Sequence, residues 1–214
     1  MAIRAVVFDY GMVLSGPPSV EARRAMMRMT GFDEETFWKY YWAERHAYDE
    51  GKLDGLTFWR HIVRDAGLSD RLGEAEIAAL NLWDARHWTV FNPAMIDWQA
   101  RLKEQGIKTA VLSNMGDAVH LHLVREFEWL QRFDVLVWSY LLRVAKPEAA
   151  IYLHTLHELG VKAEEALFLD DKQENIDAAL ALGMKAILFV DENQLRDELI
   201  AQGFNAQLPL PELV

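Results

Sequence analysis

The sequence predicts an α/β fold, an open parallel sheet with helices between its strands and one helical insertion after the first strand. Three observations carry this expectation. Several short apolar runs lack the polar alternation of a half-exposed strand and so suit buried parallel strands. The segments between them carry helix start and stop signals. The alternation breaks once, between Gly16 and about Phe91, where the pattern turns helical and rich in aromatic residues.

In chain order, Ile3 to Phe8 is the first expected strand. The inserted stretch follows, carrying Phe37, Trp38, Tyr40, Tyr41, Trp42, Phe58, Trp59, Trp83 and Trp88. Asn92 then suits a helix cap, Pro93 the first helical position and Gly106 the stop for a helix over Ala94 to Gln105. Thr109 to Ser113 and Val135 to Trp138 are the next strands, and Pro147 and Gly160 bracket another helix. Ala166 to Leu169 and Lys185 to Phe189 complete the sheet. Right-handed crossovers put the C-terminal ends of such strands along one edge, where ligands belong. Residues 1–15 and 92–214 therefore form one unit and residues 16–91 a second, while the closing Leu208 to Val214 lies extended on the surface or frays.

The chain has 214 residues, 51% of them hydrophobic and 26% charged, enough to bury a sizeable core. A net charge of -11 excludes a general affinity for nucleic acid or anionic lipid, both of which need basic surface. With no cysteine, thiol catalysis, disulfides and thiolate metal sites are excluded together. From Met1 the chain enters a β-branched stretch with no long apolar segment behind a basic end, so neither a signal peptide nor a membrane span is visible and a cytoplasmic location is expected.

Four elements carry chemistry. Asp9 ends the first apolar run, where a carboxylate either attacks an electrophile, holds a hard cation or simply forms a turn. Ser113 and Asn114 end the second run, where a hydroxyl and the following backbone N–H groups can donate to an anion or, again, turn the chain. Lys146 precedes a helix start; alone it reads as a surface lysine, although that position is unfavourable for a cation without an anion to meet. Asp170 and Asp171 follow the fourth run, and adjacent like charges there call for a cation, for which magnesium shared with Asp9 is suited.

Together, in the order carboxylate, hydroxyl, lysine, carboxylate pair, these residues resemble the four motifs of the haloacid dehalogenase (HAD) superfamily. The resemblance runs through Phe8-Asp9-Tyr10-Gly11, Leu112-Ser113-Asn114, Lys146-Pro147-Glu148 and Phe168-Leu169-Asp170-Asp171 to Gly183-Met184, nearly the whole chain. It implies a Rossmann-like HAD core with an α-helical cap inserted after the first strand. It also implies a Mg2+-dependent phosphatase in which Asp9 attacks phosphorus, water hydrolyses the aspartyl-phosphate, and Ser113, Asn114 and Lys146 hold the phosphoryl group. Asp9, the Gly11 carbonyl and Asp171 would bind the metal, with Asp170 a direct or an outer partner. The implied substrate is a small phosphorylated metabolite such as a sugar phosphate or nucleotide.

One residue departs from the pattern. Most phosphatases of the family carry a second aspartate where this chain has Gly11, so the usual proton donor is missing. Tyr10, a residue of the insert or a water is left to substitute. Two alternatives follow: the metal-free 2-haloacid dehalogenase reaction, against which Asp170-Asp171 and Gly11 both speak, and a metal- or phosphate-binding regulator with weakened catalysis. Trp38, Trp42 and Trp59 are read as core of the insert before pocket lining, and His120 and His122 as surface residues unsuited to a shared metal.

Overall fold

The computed structural model describes residues 2–212, so Met1 and the last two residues of the closing tail lie outside the described residues. Five parallel strands, β1 (Ala5–Phe8), β2 (Lys108–Ser113), β3 (Val135–Trp138), β4 (Ala166–Asp170) and β5 (Lys185–Leu188), form one sheet in the order β3-β2-β1-β4-β5. Between β1 and β2 run α1 (Val20–Thr30), α2 (Glu34–Ala43), α3 (Arg45–Asp49), α4 (Gly55–Asp65), α5 (Glu74–His87) and α6 (Pro93–Glu104). Later come α7 (Asp117–Glu126), α8 (Ser139–Leu142), α9 (Ala149–Leu159), α10 (Gln173–Ala181) and α11 (Glu192–Ala201).

The apolar runs are continuous because both faces of the sheet are covered. Val6, Phe8, Val111, Leu167 and Leu169 pack with α6, α7 and α11, whereas Ala5, Val7, Ala110, Leu112, Ala166 and Phe168 pack with α9 and α10. The tail joins the first of these layers, with Leu208 buried and the Pro209 carbonyl accepting from the Trp98 indole at 2.6 Å.

The helix punctuation was partly legible. Asn92 caps α6 through Met95 N–H and Pro93 opens it, as its sequence predicts. Pro147 does not open α9: Glu148 is extended (φ -63°, ψ 131°), the helix begins at Ala149, and the Lys146–Pro147 peptide is cis.

Helices α1 to α5 enclose a separate core of Met26, Phe37, Tyr41, Tyr48, Phe58, Trp59, Ile62 and Leu80. Ser19, Asp33 and Asp54 cap α1, α2 and α4, each accepting a backbone N–H three residues on. This helical insert leaves and rejoins the sheet unit through a paired crossing, with Gly16 N–H bonded to the Val90 carbonyl and Asn92 N–H to the Leu14 carbonyl.

The insert is docked over the C-terminal ends of the strands. Gly55 N–H donates to Asp117 Oδ1 at 2.9 Å, Ala118 N–H to the Tyr48 hydroxyl at 3.2 Å, and the Ser139 hydroxyl to the Asp49 carbonyl. Tyr48 lies so close to Gly116 that a Cβ there would sit 2.1 Å from its ring. We therefore expect Gly116→Ala to displace Tyr48 and cost roughly 1–3 kcal/mol through overpacking, read as a lower denaturant midpoint; an unchanged midpoint would show that the ring has room to move.

Candidate active site

The sheet order reverses between β1 and β4, and a crevice at the strand ends belongs at such a switch point. The parallel register pairs Phe8 with Leu169, so the next residues, Asp9 and Asp170, emerge side by side. Two carboxylates brought together out of water need a cation. Lys146 supplies one, its Nζ lying 2.9 Å from Asp9 Oδ1 and 2.5 Å from Asp170 Oδ2. At 3% exposure it is not the surface lysine that its isolated context suggests.

The loop carrying Lys146 is held by Asn114. The Asn114 amide donates to the Lys146 carbonyl and accepts from the Lys146 N–H, both at 2.8 Å. Ser113, at the end of β2, lines the same cavity of about 580 Å³ as Asp9, Gly11, Asn114, Lys146 and Asp171. Asp170 lies behind it, fully buried, accepting from Lys146, from Lys172 N–H at 2.9 Å and from the Asn175 amide at 2.9 and 3.0 Å. All seven residues singled out from the sequence thus meet at one place, with Asp170 turned inward and Asp171 partly exposed.

Charge is out of balance there. One oxygen each of Asp9, Asp170 and Asp171 lies within 4.8 Å of the others, against the buried ammonium of Lys146 and that of Lys172, which lines the same cavity beside Asp171. Burial pushes the Asp9 carboxyl up to about 6; the lowering pull of Lys146 is overcome with the help of Asp170 and Asp171. Burial and Asp170 likewise raise Asp171. Burial opposes a charged Lys146, yet the two carboxylates outweigh it and hold the ammonium above its ordinary value. Three clustered carboxylates facing two ammoniums still form an oxygen donor set with surplus negative charge, which suits a hard divalent cation.

The folded chain keeps the Asp9 proton up to about pH 6, while an unfolded aspartate releases it near 3.8, so ionising Asp9 makes folding less favourable as pH rises through that window. A divalent cation held by this carboxylate would compete with that proton. We expect Mg2+ to raise Tm more at pH 7.5 than at pH 5, with the difference lost in Asp9→Asn; equal shifts at both pH values would mean that the ion binds elsewhere.

The insert forms the opposite wall of the cavity with Trp42, Arg45, His46 and Asp49, joined by Trp88. Arg45 is buried and donates to both Asp49 oxygens at 2.9 and 3.1 Å and to the Tyr41 hydroxyl, with Asp84 at 3.4 Å. Of the three tryptophans considered from the sequence, Trp59 is core, Trp38 is partly buried against it, and Trp42 reaches the cavity. His120 and His122 are half-buried on α7, His120 bonded to the Tyr140 hydroxyl at 2.7 Å.

Tyr10 does not replace the missing acid. Its hydroxyl donates to the Trp88 carbonyl at 2.5 Å, and burial raises its pKa far above neutrality. Gly11, by contrast, is not required by the backbone: its φ is -63°, and an added Cβ would meet only Asp9 Oδ2, at 3.8 Å.

Fold and site together define a hydrolase of the HAD type. Residues 13–183 match the haloacid dehalogenase-like hydrolase family, and the chain belongs to it. Among curated proteins it is similar to sesquiterpene phosphatase astK of Aspergillus oryzae, 27% identical over 191 residues that cover 88% of this chain and 90% of that protein. It is also similar to phosphatase MT3486 of Mycobacterium tuberculosis, 25% identical and covering 94% and 93%. Among solved structures, the HAD family enzyme bt-2542 of Bacteroides thetaiotaomicron, in complex with magnesium and inorganic phosphate, superposes with a TM-score of 0.73 at 20% identity over 91% of this chain and 99% of that one. The fold is also shared with the L-2-haloacid dehalogenase of Xanthobacter autotrophicus, at TM-score 0.62 and 21% identity over 98% and 90%. Among the described residues no helix is long and apolar enough to cross a membrane.

Proposed function

We propose that this hydrolase is a cytoplasmic, Mg2+-dependent phosphatase that uses Asp9 as a covalent nucleophile on a small phosphorylated metabolite, with residues 16–91 acting as a cap over a core of residues 1–15 and 92–214. The observation that carries the reading is the juxtaposition of Asp9 with Lys146 and a surplus of carboxylate charge at the switch point of the sheet. The family match begins at residue 13, so the role of Asp9 rests on this geometry. Phosphatases among the full-length relatives agree with it.

In this mechanism an Asp9 oxygen attacks phosphorus, the P–O bond to the alcohol breaks, and water then hydrolyses the aspartyl-phosphate. Lys146 lowers the repulsion between Asp9 and the incoming anion, and the Ser113 hydroxyl and Asn114 N–H donate to phosphoryl oxygens. The Asn114 side chain, spent on the Lys146 backbone, keeps that lysine in register. Asp9, the Gly11 carbonyl and Asp171 would hold the magnesium, with Asp170, whose oxygens already serve Lys146, Lys172 and Asn175, set behind them. When bound, the ion supplies neutralisation of the charge on the transferring phosphoryl group. Asp9, Lys146 and Ser113 are the catalytic set.

The metal-free dehalogenase reaction leaves the carboxylate surplus without a purpose. Phosphate release from a panel of phosphomonoesters, with Mg2+ and then with chelator, tests the reading. Release that needs both Mg2+ and Asp9 is the expected result. Silence across the panel with measurable phosphate binding would move the protein to a binding or regulatory role.

A further inference from the structure

The wall opposite Asp9 differs from the phosphoryl end in kind. Trp42 is a large apolar side chain left 51% exposed, and Met12 another at 39%, and both line the one cavity that holds Asp9. Exposed apolar side chains converging in a concave site mark a ligand surface. Trp42 makes an offset stack with Trp38, ring centroids 5.9 Å apart and planes 16° off parallel, and offers its exposed area as a shelf. Met12 holds a left-handed backbone, φ 59°, a conformation rare for a long side chain and concentrated at functional sites. Met115 and Val119 extend the apolar lining.

Most polar side chains of this wall are already engaged, and the exposed charges that line the cavity, Lys172 and Glu174, stand at the start of α10 instead. Arg45 and Asp49 are bonded to each other, His46 Nε2 lies 3.2 Å from Glu50, and the Trp88 indole donates to the Tyr41 hydroxyl at 3.0 Å. A sugar or ribose leaving group carries several hydroxyls that lose water on entry and need partners, and partners left unmade are costly. An apolar alcohol loses nothing there and gains the buried surface of the shelf.

We propose that the cavity selects phosphomonoesters whose leaving alcohol is apolar, a branched or cyclic hydrocarbon lying on Trp42 and Met12, over phosphates of sugars and nucleosides. This rests on the phosphatase reading and narrows the substrate class expected from the sequence. The comparison uses isopentyl and cyclohexyl phosphate against glucose 6-phosphate, glycerol phosphate and a nucleoside 5′-phosphate. All are alkyl esters, so leaving-group acidity does not favour the apolar set. Acetyl phosphate, with almost no leaving group for the wall to read, reports the phosphoryl chemistry alone.

The expected kcat/KM favours the apolar esters by roughly 10-fold or more, the discrimination typical of a hydrophobic pocket. Trp42→Ala collapses that ratio through a raised KM for the apolar esters, and Trp42→Phe keeps it. Acetyl phosphate turnover combined with equal or better turnover of the polar set, or an unchanged ratio in Trp42→Ala, overturns the proposal while sparing the phosphatase reading. Failure to hydrolyse acetyl phosphate or any other ester overturns both.

Discussion

Asp9→Asn is expected to lower kcat by roughly 10⁵-fold, the scale on which loss of a covalent nucleophile is felt. The fold should survive. The substitution keeps the size of the side chain and its bond to Tyr10 N–H, and removes one of the carboxylates that crowd around Lys146. Burial and its carboxylate neighbours already push the Asp9 carboxyl up to about 6, so at pH 7.5 without Mg2+ the variant should melt no lower than the parent protein. Steady-state kinetics and thermal unfolding on the same preparations check both halves. A variant that turns over at the parent rate would remove Asp9 from the mechanism, whereas a variant that is inactive because it unfolds would leave the kinetic result uninformative about chemistry and make Asp9 a structural residue first.

Gly11→Asp is the second large effect, and it is a gain. Nothing in the backbone demands glycine at that turn, and the position faces the cavity with room beyond its Cα. As the site stands, the alkoxide leaving from an alkyl phosphate finds no proton from Gly11, and the nearest phenol, Tyr10, is committed to the Trp88 carbonyl. A carboxylic acid at position 11 should raise kcat for alkyl phosphates by roughly 10²-fold, the lower end of what general acid catalysis contributes. It should do little for acetyl phosphate, because acetate leaves without needing a proton. Comparing the two substrates separates a proton effect from a change in binding or folding. An equal change for both would mean that the new side chain acts on the metal or on the position of the phosphoryl group.

Much of this was readable in the chain itself. Asp9, Ser113 and Asp170 each end a continuous apolar run, and parallel strands buried on both faces have only their C-terminal ends free for polar chemistry. By that rule Asp9, Ser113 and Asp170 share one edge of the sheet, as the parallel register places them. Lys146 was readable only in company: its flanks look like those of a surface lysine, and its burial follows from the register that sets Asp9 beside Asp170. The function of the Asn114 side chain was not readable, because its partner is the backbone of a loop 32 residues away.

The insert was the least legible part. Its helices carry aromatic residues on several faces, so periodicity could not say which of Trp38, Trp42 and Trp59 would turn to the site; Trp59 is buried in the insert's own core, Trp38 packs against that core, and Trp42 lines the cavity. Arg45 and Asp49 gave no signal for the same reason, since an arginine and an aspartate four apart on a helix ordinarily form a solvated pair. Pro147 misled in a small way, looking like a helix opener when it lies two residues before α9.

The central claim is a covalent aspartyl-phosphate at Asp9. Rapid quench during turnover with Mg2+ and acetyl phosphate, borohydride reduction, and peptide mass mapping test it directly, because reduction converts an aspartyl-phosphate to homoserine and leaves a free carboxylate unchanged. The account predicts homoserine at position 9, dependent on substrate and Mg2+ and absent from Asp9→Asn. Phosphate release that proceeds with position 9 unmodified, or with homoserine at Asp170 or Asp171 instead, would contradict it.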